Sequence, residues 1–128
     1  MHMNADRIAV WVSRLLAAMF LFAGSTKLLG SERDILHFAA WRYPDWFRFV
    51  IGSIEVASAV LLLTDVAAYL GAAGISVTLL WAGYTFLVRV PEESWRAVPT
   101  LAVLAIVAVV GYARRPTHTP TNGSAPTG

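Results

Sequence analysis

The sequence predicts an all-α protein, a four-transmembrane-helix antiparallel bundle, on three observations. Of its 128 residues 57% are hydrophobic and only 14% charged, against about 25% charged in an ordinary soluble domain. The apolar residues are gathered into four long blocks and do not alternate or keep to one helical face, which is the pattern of spans buried in hydrocarbon. Pro, charged residues and interfacial aromatics stand between the blocks, where a chain leaving the membrane needs them.

The first block, IAVWVSRLLAAMFLFAGSTKLLG, covers 8–30 and reaches spanning length because about 20 residues at about 1.5 Å each cross the hydrocarbon. A cleaved signal peptide is the competing reading, with Arg7 as its positive start and Ala23, Gly24 and Ser25 as its small-residue site; Arg14 interrupts its apolar part, which favours a retained span. Residues 31–45, SERDILHFAAWRYPD, read as a loop or short interfacial helix with Trp41 and Tyr43 at headgroup level. Pro44 is compatible with a new helix starting just after it.

The second span is WFRFVIGSIEVASAVLLL, 46–63, closed by Thr64 and Asp65, and the third is VAAYLGAAGISVTLLWAGYTFLV, 66–88. So short a turn makes these two helices antiparallel neighbours. A polar loop, RVPEESWR, occupies 89–96, and the fourth span, AVPTLAVLAIVAVVGYA, occupies 97–113 with Pro99 in its first turn. The chain therefore divides into a membrane domain, 1–113, and a Pro-, Thr- and Gly-rich tail, 114–128, expected to be disordered. Four crossings put both termini on one side. The count of flanking arginines leans toward cytoplasmic loops, but acids beside them leave the orientation open.

Composition excludes several functions. Ten Lys and Arg against eight Asp and Glu give an excess that lies beside the apolar blocks and suits membrane anchoring; without a basic stripe carrying interleaved aromatics, nucleic acid is not an expected partner. The chain has no Cys, so it can supply no thiolate, iron-sulfur ligand or CxxC pair. Its histidines are His2, His37 and His118; none forms a spaced pair within a span, which disfavours an intrinsic bis-His haem, and no zinc-hydrolase, dinucleotide or phosphate-loop motif is present. No metal site and no intrinsic cofactor are expected.

The residue that calls for explanation is Glu55, in the middle of the second span. A carboxylate at that depth is paired, protonated or exposed to a water-filled cavity. Counting about 1.5 Å per residue from the block boundaries places Arg14 roughly 9 Å, Glu55 roughly 16 Å and Lys27 roughly 28 Å above one end of the antiparallel pair. Arg14 and Lys27 are also about 140° apart around their helix, so both cannot face one carboxylate. On depth and rotation, Arg14 is the expected partner of Glu55, with Lys27 as a secondary candidate; the pair reads as a buried ion pair that orients two helices, as a proton-relay or polar-ligand site, or as part of a partner interface. Tyr43, Thr78 and Tyr84 are further candidates to line a polar site. Gly24, Gly52, Gly71 and Gly74 are expected to let helices pack closely.

With these residues in place, the segments SRLLAAMFLFAGSTKLLG and YPDWFRFVIGSIEVASAVLLL resemble the DoxX-like family of small membrane proteins over about residues 12–113. One motif, an Arg followed by an apolar run ending in AGxxKL, falls on Arg14, Ala23, Gly24, Lys27 and Leu28. The other, YPxW followed by IGxxE, falls on Tyr43, Pro44, Trp46, Ile51, Gly52 and Glu55. The resemblance implies a four-helix bundle in a bacterial cell membrane and an association with membrane redox chemistry, since relatives include quinone-linked oxidoreductase components and proteins of oxidative-stress assemblies. The third span carries WAGYTF where many relatives have a more polar, His-containing feature, so a His-dependent function is not expected. The implied function is an accessory subunit of a membrane redox complex that shapes a quinone or proton site; electron carriers would come from oxidoreductase partner subunits. A non-enzymatic scaffold or a small-ligand transport protein is the alternative. Membrane lipids and a second copy of the chain complete the expected partners.

Overall fold

The structure is a computed structural model that describes residues 2–116. The described residues form α1 (His2–Leu29), α2 (Glu32–Ala40), α3 (Asp45–Leu62), α4 (Ala68–Tyr84), a π-helical turn (Thr85–Arg89), a 3-10 segment (Pro91–Arg96) and α5 (Ala97–Ala113), with no strand among them. The expected disordered tail concerns mostly 117–128, which lie outside the described residues; Arg114 stands at the C-cap of α5.

Local chemistry sets the boundaries. Gly30, at φ +77°, ends α1 by donating to the Lys27 carbonyl at 3.4 Å while Ser31 N–H donates to the Thr26 carbonyl at 3.0 Å, the paired bonds of a left-handed helix stop. Ser31 then caps α2 by accepting from Asp34 N–H at 3.2 Å. The segment 31–45 thus takes the short-helix form of its expectation. It ends in a second stop of the same type at Arg42, with φ +66°. Arg42 N–H donates to the Ala39 carbonyl and Tyr43 N–H to the Phe38 carbonyl, both at 3.0 Å. A non-glycine residue in this region costs about 1–2 kcal/mol, and two bonds with Arg89 hold it there: the Arg42 guanidinium donates to the Arg89 carbonyl at 3.0 Å, and Arg89 donates back to the Arg42 carbonyl at 2.6 Å.

Among the described residues three stretches are long and apolar enough to cross a membrane: Ala5–Leu29, Ala68–Arg89 and Pro91–Ala113. The last exceeds the block read from sequence because the 3-10 segment leads directly into α5. The 18-residue α3 has the length, but it carries Asp45, Arg48 and Glu55. It lies between α1 and α4, and α4 packs in turn on α5. Leu16, Phe20, Leu62, Ile75 and Val107 bring these four helices to one core, and Phe38, Trp41, Ile51 and Phe86 form a second core at the end that holds α2. The outside is as apolar as the inside: Phe22 is 70% exposed and Val98 72%, which in an isolated chain marks a surface made for lipid.

Glycines set the closest contacts. A Cβ on Gly24 would lie 2.8 Å from the Gly52 carbonyl, and one on Gly52 would lie 3.0 Å from the Gly24 carbonyl, so α1 and α3 meet backbone to backbone. Gly71 and Gly74 seat α4 on Ser58 of α3 in the same way. Gly71→Ala should therefore destabilise the fold by about 1–3 kcal/mol through overpacking, since its Cβ would lie 2.7 Å from the Leu62 amide nitrogen. Gly83→Ala, whose Cβ meets only Leu101 Cδ2 at 3.7 Å, should be neutral or gain up to about 1 kcal/mol of helix propensity. Unfolding of both variants in detergent checks the contrast.

Candidate functional site: the Lys27–Glu55 pair and the polar ends of the helices

The glycine seam delivers Glu55 to Lys27. Lys27 Nζ lies 2.9 Å from Glu55 Oε1, with the two side chains 14% and 8% exposed. Lys27 Nζ also donates to the Ala23 carbonyl at 3.4 Å. At that distance the ammonium is the charge partner of Oε1 and ties α1 to α3.

Arg14 is not the partner. It is exposed, and its guanidinium stacks 5.2 Å from the Trp11 ring centroid. The expected pairing aligned the two helices by the ends of their apolar blocks, whereas Gly24 actually faces Gly52 and Val56, and Gly52 faces Lys27 and Leu28. That register carries Arg14 to the level of about residue 64, some 13 Å from Glu55 along the axis at about 1.5 Å per residue. The angular argument holds in its general form, since only one of the two cations faces the carboxylate, but the one that does is Lys27.

Next to this pair, Arg48 is only 4% exposed although it sits in the first turns of α3. Its guanidinium donates to the Lys27 carbonyl at the end of α1, is held by Asp45 at 3.2 Å and lies 4.4 Å from the Phe49 ring centroid. In the sequence Arg48 reads as one of the arginines that flank the apolar blocks. The signal available was Asp45 three residues before it, an acid and a base on adjacent turns.

The remaining candidates do not converge on Glu55. Tyr43 joins its hydroxyl to that of Thr85 at 2.7 Å, and Arg89 lies 4.2 Å from its ring centroid while donating to the Trp41 carbonyl at 3.1 Å. Tyr43 thus belongs to the aromatic core of Phe38, Trp41, Phe47 and Trp81. Thr78 is buried and donates to the Ile75 carbonyl of its own helix at 2.8 Å. Tyr84 is 50% exposed and faces outward, because the π-helical turn that follows it presents Thr85 and Phe86 to the interior instead. Thr85 and Arg89 were missed as site residues, and an apolar run gives no sign of a π turn.

On α2, burial pushes the Asp34 carboxyl up, but the hydroxyls of Thr26 and Ser31 and the charges of Lys27 and Arg33 outweigh it and hold it below its ordinary range. His37 stacks on Trp41 at 5.3 Å; burial and then the guanidiniums of Arg96 and Arg33 lower its pKa against the opposing charges of Asp34 and Glu93. Among the described residues no three His, Cys, Asp or Glu side chains gather as a metal site.

Apolar helices with an apolar exterior, closed around a buried ion pair, define a helical membrane protein. The model of the DoxX-like family matches residues 11–111, and the chain belongs to that family. No curated protein and no solved structure matches it.

Because His37 is held below its ordinary value of 6.5, the folded chain favours the neutral ring. The stability this contributes is complete above 6.5 and is lost as the pH falls from there to the lowered value. A His37 resonance in detergent-solubilised protein should titrate below 6.5, and unfolding the chain should return the midpoint to that value.

Proposed function

We propose that the chain crosses the membrane four times and serves as a non-catalytic accessory subunit of a membrane redox complex, in which the Lys27–Glu55 pair locks α1 to α3. The four-span reading is supported by how α3 disposes of its charges. Asp45 is paired with Arg48 and Glu55 with Lys27, so the segment carries no unpaired charge into hydrocarbon. Its 18 residues reach about 27 Å at about 1.5 Å per residue, close to the hydrocarbon thickness of about 30 Å.

The single observation that carries the scaffolding role is the position of the ion pair beside the Gly24–Gly52 approach. A relay group must exchange its proton with a ligand or with water, whereas this carboxylate is spent on a cation of the neighbouring helix. Removing one partner of such a pair strands the other. The association with redox chemistry rests on the resemblance of the AGxxKL and IGxxE motifs to those of DoxX-like relatives, and any flavin, haem or quinone-reducing centre would belong to a partner subunit.

One observation favours a second reading. Glu55 is buried with Lys27 beside one of its two oxygens, and a quinol hydroxyl or a water could donate to the carboxylate as well. Glu55 would then accept a proton from a quinol bound beside α1 and α3 while an electron carrier of a partner subunit takes up the electrons.

Exchanging the charges separates the two. Lys27→Met alone should cost about 3–5 kcal/mol by leaving a buried carboxylate unpaired, and the double exchange Lys27→Glu with Glu55→Lys should recover most of that loss. If the exchanged protein assembles with its partner subunits and supports normal electron transfer, the pair is a lock. If it assembles but electron transfer collapses, the scaffolding reading is wrong and Glu55 has a chemical role.

A further inference from the structure

We infer that Arg42 and Arg89 together hold one phosphate group at the membrane surface, from a phospholipid headgroup or from free phosphate. Arg89 is the last residue of the apolar stretch Ala68–Arg89, the depth at which headgroup phosphates lie. The choice of residue at Arg42 is the first sign. Helices α1 and α2 end in the same left-handed stop, at Gly30 with φ +77° and at Arg42 with φ +66°. Glycine takes that geometry freely and is its usual occupant, whereas arginine is strained in it. The exposed hydrogen bond that the Arg42 guanidinium makes is worth about as much as that strain, so the turn by itself gains nothing from arginine over glycine. The second sign is the π-helical turn Thr85–Arg89, a rare form that recurs at functional sites. These two departures from regular backbone meet at one pair of side chains.

The two arginines reach past each other. Arg42 Nη2 donates to the Arg89 carbonyl at 3.0 Å, while Arg89 Nη2 donates to the Arg42 carbonyl at 2.6 Å and Arg89 Nε to the Trp41 carbonyl at 3.1 Å. The Arg89 guanidinium also lies 4.2 Å from the Tyr43 ring centroid, which backs it on one side. Of five N–H donors each, Arg42 spends one and Arg89 two, so both keep donors for the oxygens of a phosphate. Carbonyls satisfy N–H groups without cancelling charge. The C-terminal ends of α2 and of the π turn bring about half a negative charge each against two guanidiniums, and about one positive charge is left over.

Carboxylates do not take up that charge. Among the described residues neither arginine forms an ion pair: Asp45 is paired with Arg48 and Glu93 with Arg96, and Glu92, which is exposed, pairs with neither. Glu32 and Asp34 stand in the first turn of α2. Asp34, the nearer of the two along the helix, is about 12 Å from Arg42 at about 1.5 Å per residue, beyond a screening length of about 8 Å. Burial first, and then Arg96 and Arg33, lower the pKa of His37 against Asp34 and Glu93, so cations also dominate the field at the ring that stacks on Trp41. Within about a turn of Arg89, the exposed side chains of Tyr84, Leu87 and Val88 offer acyl chains an apolar wall.

The test is native mass spectrometry of the full chain in mild detergent, with phosphatidylglycerol or with diacylglycerol of the same acyl chains, and phosphorus NMR of inorganic phosphate titrated with the lipid-free protein. One phosphatidylglycerol per chain should be retained, about fivefold above diacylglycerol, the factor that one arginine at a membrane surface supplies. Arg42→Gly should lower retention of phosphatidylglycerol about fivefold and leave diacylglycerol unchanged, while its unfolding midpoint stays level or rises. Arg42→Asn, a second residue that tolerates the left-handed turn, should do the same to retention. Arg33→Gln, at an exposed arginine early in α2, should change neither lipid. Broadening of the inorganic phosphate resonance by the wild type, lost in Arg42→Gly, would support the site with the free anion as its ligand. Equal retention of the two lipids without such broadening would overturn the proposal, as would a loss in Arg33→Gln as large as in Arg42→Gly. So would a lower midpoint in Arg42→Gly with retention unchanged, because the arginine would then serve the turn alone.

Discussion

The backbone contact between Gly24 and Gly52 governs the rest of the molecule. Two helices that touch through glycine have one register, because shifting either by a residue brings a side chain into the other's carbonyl. That register decides which cation reaches Glu55, brings the end of α1 within reach of Arg48, and sets the height at which α2 turns back over the bundle. Hydrocarbon offers helices little reason to associate, since lipid is as apolar as leucine. Close backbone packing and a paired charge supply what burial supplies in water.

Three arginines share a second task. Arg48 binds the Lys27 carbonyl at the end of α1, Arg89 binds the Trp41 and Arg42 carbonyls at the end of α2, and Arg114 binds the Thr64 carbonyl just past the end of α3. The last carbonyls of a helix have no partner within it and carry the negative end of its dipole. Each arginine therefore satisfies groups that would otherwise need water at the edge of the membrane, and each comes from a later helix than the one it caps. The positive residues flanking the apolar blocks are joints between helices as well as anchors to headgroups.

How much of this was legible in the sequence follows from what each feature depends on. The helical blocks were readable because spanning length and apolar composition are local properties, and the ends of α3 and α5 fall within a residue or so of the expected boundaries. The four close-packing glycines were readable as a class, and Gly24, Gly52, Gly71 and Gly74 all stand at tight contacts. The partner of Glu55 was not. Depth counted from block ends puts Arg14 nearest Glu55, while the register is set by two glycines whose mutual facing only the packed pair reveals. Thr85 and Arg89 were hidden for a related reason: a π turn rotates every residue after it, and nothing in WAGYTFLVR signals the extra residue. Arg42, a non-glycine residue at positive φ, is held by contacts 47 positions away in sequence, beyond any local pattern.

The limited contact between α1 and α5 also bears on how the chain is built. Apart from that seam, every long helix packs chiefly on the one made just before or just after it: α1 on α3, α3 on α4, α4 on α5. A protein of this kind can be assembled as it is synthesised, each hairpin completing itself before the next segment leaves the ribosome, with little entropy spent on joining distant parts of the chain. The junction between the first and last helices is less extensive than the α1–α3, α3–α4 and α4–α5 contacts, so the bundle need not wait for its final helix before α1 and α3 are locked.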